Sequence, residues 1–545
     1  MTNLVVSKIE SEIKPTTTTC AKALVDTLLE LGVDTVFGYP GAAVLSIYQE
    51  LSQEDAIRHI LVRHEQAAVH SAEGYARVSG KSGVVLVTSG PGFTNTITGI
   101  ANAYADSTPL VVLAGDVPSN NNKGKVFQKV DIISMTKTCA KKNYLVTSKD
   151  DIKQVLREAF EVANSGEKGP VVVVLPRNIL ESKYVQKLTR DLHKKKFQPI
   201  AEIDFSKTKK LIAESKSPLI LLGGGAIESA ETIHKFVTKT KIPVVSTLMG
   251  IGTFPSDDDL YLGMIGINGI PSANIAVENA DFILALGVSF SDRSTCKREN
   301  FAPKAKIVSV NTKKTNFELE LEVCADANLF LEGLISRIET VNECVDWKTS
   351  LAVLKQQHLQ KFGSSERLHS SSVLETIYEF TKKLEPVVVT DVGQHQMLTA
   401  QYFNFNRPKK FITSGGLGTM GFGLPAAVGA QIADSNSLVL NITGDGSFQM
   451  NLQELATCRE HNIPVKIIIM NNSYLGMVRQ MQDKIYNNCY QVEMINPDFT
   501  KIAEAYDLMA VRVSKFEDLV PALENAISYK GTAIIDIAID SYEEI

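Results

Sequence analysis

The chain has no Cys-x-x-Cys pair, only one tryptophan, and no apolar run long enough to cross a bilayer. Its seven cysteines, Cys20, Cys139, Cys296, Cys324, Cys344, Cys458 and Cys489, are scattered. That spacing excludes a disulfide framework or a zinc ribbon and fits reduced thiols. Apolar runs such as VVVVL at 171–175 are far short of the ~20 residues a membrane helix needs, and buried parallel strands account for them. The opening MTNLVVSKIESEIK lacks the apolar core of a secretory signal, so a soluble, cytoplasmic protein is expected. A net charge of -5 gives no surplus of positive charge for nucleic acid or an anionic membrane. The short HKKK at 193–196 reads as part of a solvated linker.

What remains is an ordinary globular composition, 44% hydrophobic and 21% charged. At roughly 150 residues per domain the length of 545 residues suggests at least three domains. The pattern agrees. Helical spacing, as in TCAKALVDTLLELGV, alternates with short apolar strands such as SGVVLVTSG and TPLVVLAGD over residues 14–182. The alternation resumes over 205–340 (SPLILLGGG, IPVVSTL, DFILALG, AKIVSVN) and again over 373–545 (PVVVTDVG, SLVLNITGDG, VKIIIMNN, TAIIDIAI). Polar stretches near 182–205 and 340–372 read as linkers. The expected fold class is therefore α/β, with three doubly wound parallel-sheet domains.

One unit carries unusual chemistry. SLVLNIT reads as a strand closed by Gly444-Asp445-Gly446, NLQELATCREHN as a crossover helix, and VKIIIM as the next strand, closed by Asn471-Asn472. The glycines are expected to form a tight turn with positive φ and close backbone approach. Asp445 and Asn472 then stand at the carboxyl ends of parallel strands, where open α/β sheets bind ligands. A carboxylate beside a carboxamide oxygen suits Mg²⁺, which completes its shell with phosphate oxygens and water. Exposed N–H groups after the turn can hold the same phosphates. A lone GDG is more often only a turn; its pairing with NN across one unit favours a metal-bridged diphosphate anchor. GGLGTMG at 415–421 also fits a dinucleotide fingerprint, but it follows a strand poorly and lacks the usual acid.

GDG followed by NN resembles the signature of thiamine diphosphate (ThDP) enzymes. YPGAAVL (39–45), RHEQAA (63–68), TSGPGFTNTITGIANAY (88–104), VGQHQM (392–397) and ITSGGLGTMGFGLPAAVGA (412–430) resemble acetohydroxyacid (acetolactate) synthase large subunits, over nearly the whole chain. The resemblance implies a pyrimidine-binding, a central FAD-type and a diphosphate-binding domain. It also implies a reaction: pyruvate is decarboxylated and its hydroxyethyl unit condensed with a second 2-oxo acid to give 2-acetolactate. The alternative is another ThDP-dependent decarboxylase, oxidase or carboligase with a different acceptor. Simple decarboxylases of this type bring an adjacent His pair to the site, and no HH occurs here.

The resemblance also assigns roles. Glu65 would be the acid at the aminopyrimidine ring; position alone would make it only a helix-start carboxylate. Asp445, Asn472 and the backbone oxygen of Tyr474 would ligate Mg²⁺. Gly444, Gly446, Ser447, Gln394 and His395 would face the diphosphate. Met420 would wedge between the cofactor's rings, Gly418 would accept from its amino group and Met477 would lie beside the same ring. Gln128 would orient the acceptor acid, with Phe127 and Met481 lining the substrate entrance; biosynthetic members usually carry Trp where Met481 stands. FAD is expected in the middle domain, against Gly223, Gly224, Thr247, Leu248, Gly266, Asn268, Gly287 and Arg293. Several family positions differ there: Asn268 replaces His, SFSDR replaces RFDDR, VSVNT replaces an Asp-containing run, and GEKGP lacks an Arg. The ending DSYEEI is shorter than the tail that closes the site in many members, so either a more open site or a role in another pathway is expected. A homodimer or homotetramer, pyruvate with a second 2-oxo acid, and a small regulatory subunit are the implied partners.

Overall fold

The computed structural model of the chain describes residues 17–120, 125–185, 203–339, 343–358 and 368–543. The HKKK stretch, most of the first expected linker, parts of the second and part of the Asn-rich loop before Phe127 lie outside the described residues. The chain divides into two units, one of Met1–Ala76 with Gly80–Phe197 and one of Arg77–Ser79 with Gln198–Ile545.

The first unit holds a six-stranded parallel sheet built, in chain order, from Thr35–Gly38, Arg58–Leu61, Gly83–Val87, Leu110–Asp116, Lys142–Leu145 and Pro170–Pro176. Their spatial order is second, first, third, fourth, sixth, fifth. The central strands are Val- and Leu-rich and buried on both faces, as helix-covered parallel strands must be. A short antiparallel pair, Thr17–Thr19 with Lys183–Val185, joins the two ends of the unit.

The second unit holds two more six-stranded parallel sheets. One contains Pro218–Leu222, Val244–Ser246, Tyr261–Met264, Phe282–Leu286, Lys306–Asn311 and Leu321–Cys324, in the order third, second, first, fourth, fifth, sixth. The other contains Val387–Thr390, Phe411–Ile412, Val439–Gly444, Lys466–Asn471, Met509–Val513 and Ala533–Ala538. Its order repeats that of the first unit's sheet. The middle sheet thus has the classical dinucleotide-fold order, and the outer two share the other common doubly wound start, with the second strand outside the first.

Two expectations change. The stretch read as the second linker contains a 14-residue helix, Val345–His358. Leu351 on it is buried, Trp347 and Leu354 pack on the same cluster, and Trp347 Nε1 donates to Pro218 O at 3.0 Å. Trp347, Leu351 and Leu354 already had helical spacing, hidden by the charged flanks. The edge strands Lys142–Leu145 and Met509–Val513 escaped the sequence reading because they are largely half-exposed and lack a solid apolar run.

Candidate active site

In the third sheet the strands Val387–Thr390 and Val439–Gly444 are neighbours whose chain connections leave in opposite directions. That is the switch point at which such sheets bind ligands. A cleft opens there with ≈ 570 Å³ of empty space, open solvent at its mouth included. Gln394, His395, Met420, Gly444, Asp445, Gly446, Ser447, Asn472, Tyr474 and Met477 line it. Gly418 and Met481 do not. Gly418 precedes Met420 in a turn with φ 72°. Met481 lies one helical turn past Met477 on the helix Gly476–Tyr486, its side chain exposed.

The acid and the amide meet as the strand pairing requires. Strands Val439–Gly444 and Lys466–Asn471 are parallel, with Gly444 opposite Met470. Asp445 and Asn472 are both buried. Asp445 Oδ2 accepts from Ser473 N at 2.9 Å and from Asn496 Nδ2 at 2.5 Å, while Asn472 Oδ1 accepts from Tyr474 N at 3.0 Å. Burial pushes the Asp445 carboxyl above its ordinary value, against these hydrogen bonds. The glycine expectation is corrected here. Gly444 has φ -87° and Gly446 sits in the short helix Asp445–Phe448; neither has positive φ among the described residues. What Gly444 supplies is space: a Cβ there would fall 2.9 Å from His395 Nδ1.

His395 lies in the helix Gln394–Tyr402, and its Nε2 is buried without a hydrogen-bond partner among the described residues. Burial lowers its pKa from 6.5 to about 3. The unfolded chain therefore binds a proton that the folded chain refuses between those values. His395's contribution is fully present above pH 6.5 and is lost as pH falls toward about 3, by a total on the order of 5 kcal/mol. Denaturant unfolding of the cofactor-free protein should show this slope, and a His395→Asn variant should flatten it. An unchanged slope in the variant refutes the assignment.

Other groups that the sequence reading missed shape the cleft. The buried Asp391 carboxylate accepts from the backbone N–H of Val392 and Gly421 at 2.9 Å each and of Gly423 at 3.0 Å, pinning the turn that carries Met420. Asn451 Nδ2 donates to Gly421 O at 2.7 Å. Gln394 Nε2 donates to Glu543 O at 2.9 Å, and Ser541 Oγ donates to Asn472 O at 2.9 Å, so the segment after the last strand lies against the cleft. Ser447 Oγ donates to Val392 O at 2.9 Å. Gly476 leaves room for Gln394: a Cβ there would lie 2.0 Å from Gln394 Oε1. Asp391 was findable, since it ends a strand immediately before VGQHQM; the others are set by contacts distant in sequence.

Comparison with known proteins decides what this arrangement belongs to. Residues 18–135, 205–334 and 391–537 match, in turn, the thiamine pyrophosphate enzyme N-terminal TPP binding domain, central domain and C-terminal TPP binding domain. The chain is 40% identical over 549 residues to the acetolactate synthase, chloroplastic, of Arabidopsis thaliana, spanning 96% of this chain and 82% of that protein. It is 39% identical over 545 residues to the acetolactate synthase large subunit of Haemophilus influenzae, and 39% over 548 residues to the acetolactate synthase isozyme 3 large subunit of Escherichia coli. Each of these two alignments spans 96% of this chain and 95% of the relative. The chain belongs to the acetolactate synthase family of thiamine pyrophosphate enzymes.

For an enzyme of this family the cleft fits the diphosphate end of the cofactor. A buried carboxylate whose charge is held against desolvation, an amide oxygen one strand away and an orphaned imidazole nitrogen are what a cation and a phosphate would satisfy. The remaining expected residues lie elsewhere. In the first unit Glu65 opens the helix Glu65–Ser79, and its Oε2 accepts from Asn95 Nδ2 at 2.9 Å. Gln128 has φ 57°, an uncommon conformation for a residue with a side chain, and packs on Gly90: a Cβ at Gly90 would meet Gln128 Cβ at 2.8 Å. Phe127 beside it is 85% exposed.

In the middle sheet, Gly223 follows Pro218–Leu222 and Gly287 follows Phe282–Leu286. These neighbouring strands form that sheet's own switch point, the place for a dinucleotide. Thr247 and Leu248 follow the adjoining strand Val244–Ser246. Gly223 and Gly287 touch so closely that a Cβ on the former would lie 2.2 Å from the latter's carbonyl oxygen, and Gly224 packs beside Met249. Gly266, with φ 113°, lies against the Arg293 carbonyl, the Arg293 residue is exposed, and Asn268 O accepts from Gln401 Nε2 at 2.9 Å. Gly223, Thr247, Leu248 and Gly287 thus all follow the carboxyl ends of adjoining strands of this sheet.

Among the described residues no helix is long and apolar enough to cross a membrane.

Proposed function

We propose that the protein decarboxylates pyruvate and joins the hydroxyethyl unit to a second 2-oxo acid, releasing 2-acetolactate. The observation that carries this reading is the buried Asp445 carboxylate, tied to the Asn472 loop at a sheet switch point, in a chain of the acetolactate synthase family. Asp445, Asn472 and the Tyr474 carbonyl would hold Mg²⁺. Gly444, Gly446, Ser447, Gln394 and His395 would hold the diphosphate, and Gly418, Met420 and Met477 the aminopyrimidine. Bound thiamine diphosphate supplies the electron sink for decarboxylation.

The chain supplies the rest. Glu65 holds and returns a proton at the aminopyrimidine. The Asp391-pinned turn fixes Met420. Gln128, Phe127 and Met481 receive and orient the acceptor. FAD against Gly223, Gly224, Thr247, Leu248, Gly266, Asn268, Gly287 and Arg293 is part of the proposal, as are domains at 14–182, 205–340 and 373–545. So are a homodimer or homotetramer, a small regulatory subunit and a cytoplasmic setting.

Product analysis tests the reaction. With ThDP, Mg²⁺ and pyruvate, the purified protein should form acetolactate and CO₂ in equal amounts, and repeating the assay with and without FAD reads the role of the middle domain. Acetaldehyde or an oxidised acetyl product in place of acetolactate, or no pyruvate consumption, would overturn the proposal.

A further inference from the structure

Asp445 is held at one end of a chain of polar side chains that runs across the sheet. Arg512, on the edge strand Met509–Val513, is paired with the fully buried carboxylate of Asp536. Asp536 Oδ1 accepts from Asn471 Nδ2 at 2.9 Å. Asn471 Oδ1 accepts from Asn496 Nδ2 at 3.0 Å, and the same Nδ2 donates to Asp445 Oδ2 at 2.5 Å. Asn496 Oδ1 in turn accepts from Gln449 Nε2 at 3.0 Å.

The direction of every link is forced. An ionised carboxylate only accepts. Asp536 therefore turns the Asn471 amide nitrogen toward itself and leaves the Asn471 oxygen facing Asn496. Asp445 makes the same demand from the other side. The Asn496 amide has one orientation that satisfies both, and Gln449 meets its remaining oxygen.

Both donors that reach Asp445 from outside its own turn, Ser473 N and Asn496 Nδ2, fall on Oδ2. Oδ2 is thereby engaged from outside the turn, and Oδ1 takes neither of these donors. We infer that Asn496 is a positioning residue that makes Asp445 a one-oxygen ligand, and so sets the site's preference for a small octahedral cation over Ca²⁺. Ca²⁺ takes more oxygens and often both oxygens of a carboxylate, whereas Mg²⁺ demands a tight octahedron of single oxygens. Outer partners that orient metal ligands are typically worth 10–100-fold in affinity. The inference rests on the reading of Asp445 as a metal ligand.

The test reads metal binding without turnover. Full-length protein stripped of metal is incubated with a fixed amount of ThDP and titrated with MgCl₂ or CaCl₂, and bound ThDP is measured by ultrafiltration. The unmutated protein should require metal and prefer Mg²⁺. Asn496→Ala should raise the Mg²⁺ half-saturation about 10–100-fold and shrink the Ca²⁺ to Mg²⁺ ratio several-fold. Unchanged Mg²⁺ half-saturation, or equal weakening of both cations so that the ratio persists, overturns the inference. Gln449→Leu, which keeps Asn496 but frees its amide, should move the ratio the same way by less; a ratio unmoved in that variant counts against the inference even where Asn496→Ala does not fold. ThDP binding that ignores metal in the unmutated protein refutes the metal site itself and not merely the role of Asn496.

Discussion

Replacing Glu65 by Gln is expected to lower turnover by about 10²–10⁴-fold, the range typical of a lost acid–base group, while ThDP affinity stays within a few-fold. The substitution is isosteric. A glutamine carbonyl can still accept from Asn95 Nδ2, the bond that Glu65 Oε2 now receives at 2.9 Å, so the side chain keeps its place at the head of its helix. What the amide loses is the ability to take and return a proton. The residues read as holding the diphosphate and cation belong to the other unit of the chain, so the anchor is untouched. Steady-state kcat, ThDP titration and thermal unfolding of the variant together separate the cases. Lost turnover with retained binding and stability supports the proton role. Wild-type turnover refutes it, and lost binding would move Glu65 from chemistry to cofactor retention.

The parallel-sheet class was legible because its signal is local: apolar runs of five or six residues bounded by glycine and alternating with helical spacing. The positions of Asp445 and Asn472 were legible for the same reason, since each is the residue that follows a strand. Gly444 shows the limit. Its sequence context suggested a positive-φ turn, yet the residue is extended and small because the His395 ring lies against it, a contact that no local pattern encodes. Asn496 was hidden in the same way. It lies in a loop with no periodicity, and its importance comes from facing Asp445 and Asn471, which are 51 and 25 positions away. The helix Val345–His358 failed for a different reason: its apolar face is narrow, and charged neighbours masked it. Local pattern thus locates strand ends and the groups on them, whereas the groups that orient those side chains are found only by packing.

Asp445→Ala should abolish metal-dependent ThDP binding and yet leave the metal-free protein close to its original stability. The two halves follow from one observation. Burial raises the Asp445 pKa despite the hydrogen bonds from Asn496 and Ser473. A raised carboxyl pKa means that the folded state favours the protonated acid. The resulting stabilisation is therefore present at acid pH and lost as pH rises through the folded pKa, so at neutral pH the charge is a net cost of folding. Removing it relieves that cost. The substitution also leaves Ser473 N and one N–H of Asn496 Nδ2 without their acceptor, a penalty of about 1–3 kcal/mol for each if it stays dry, but both residues are half-exposed and so within reach of water. These terms oppose one another. Binding has no such compensation, because among the described residues no other carboxylate lines the cleft. A ligand at ~100 times its Kd stabilises a protein by about 2.7 kcal/mol, so ThDP with Mg²⁺ should raise the melting temperature of the unmutated protein and leave that of Asp445→Ala unmoved. A variant that keeps the full cofactor-induced shift would show that the cation is held elsewhere. A variant that loses several kcal/mol in the metal-free state would show that Asp445 is a structural acid whose hydrogen bonds outweigh its desolvation.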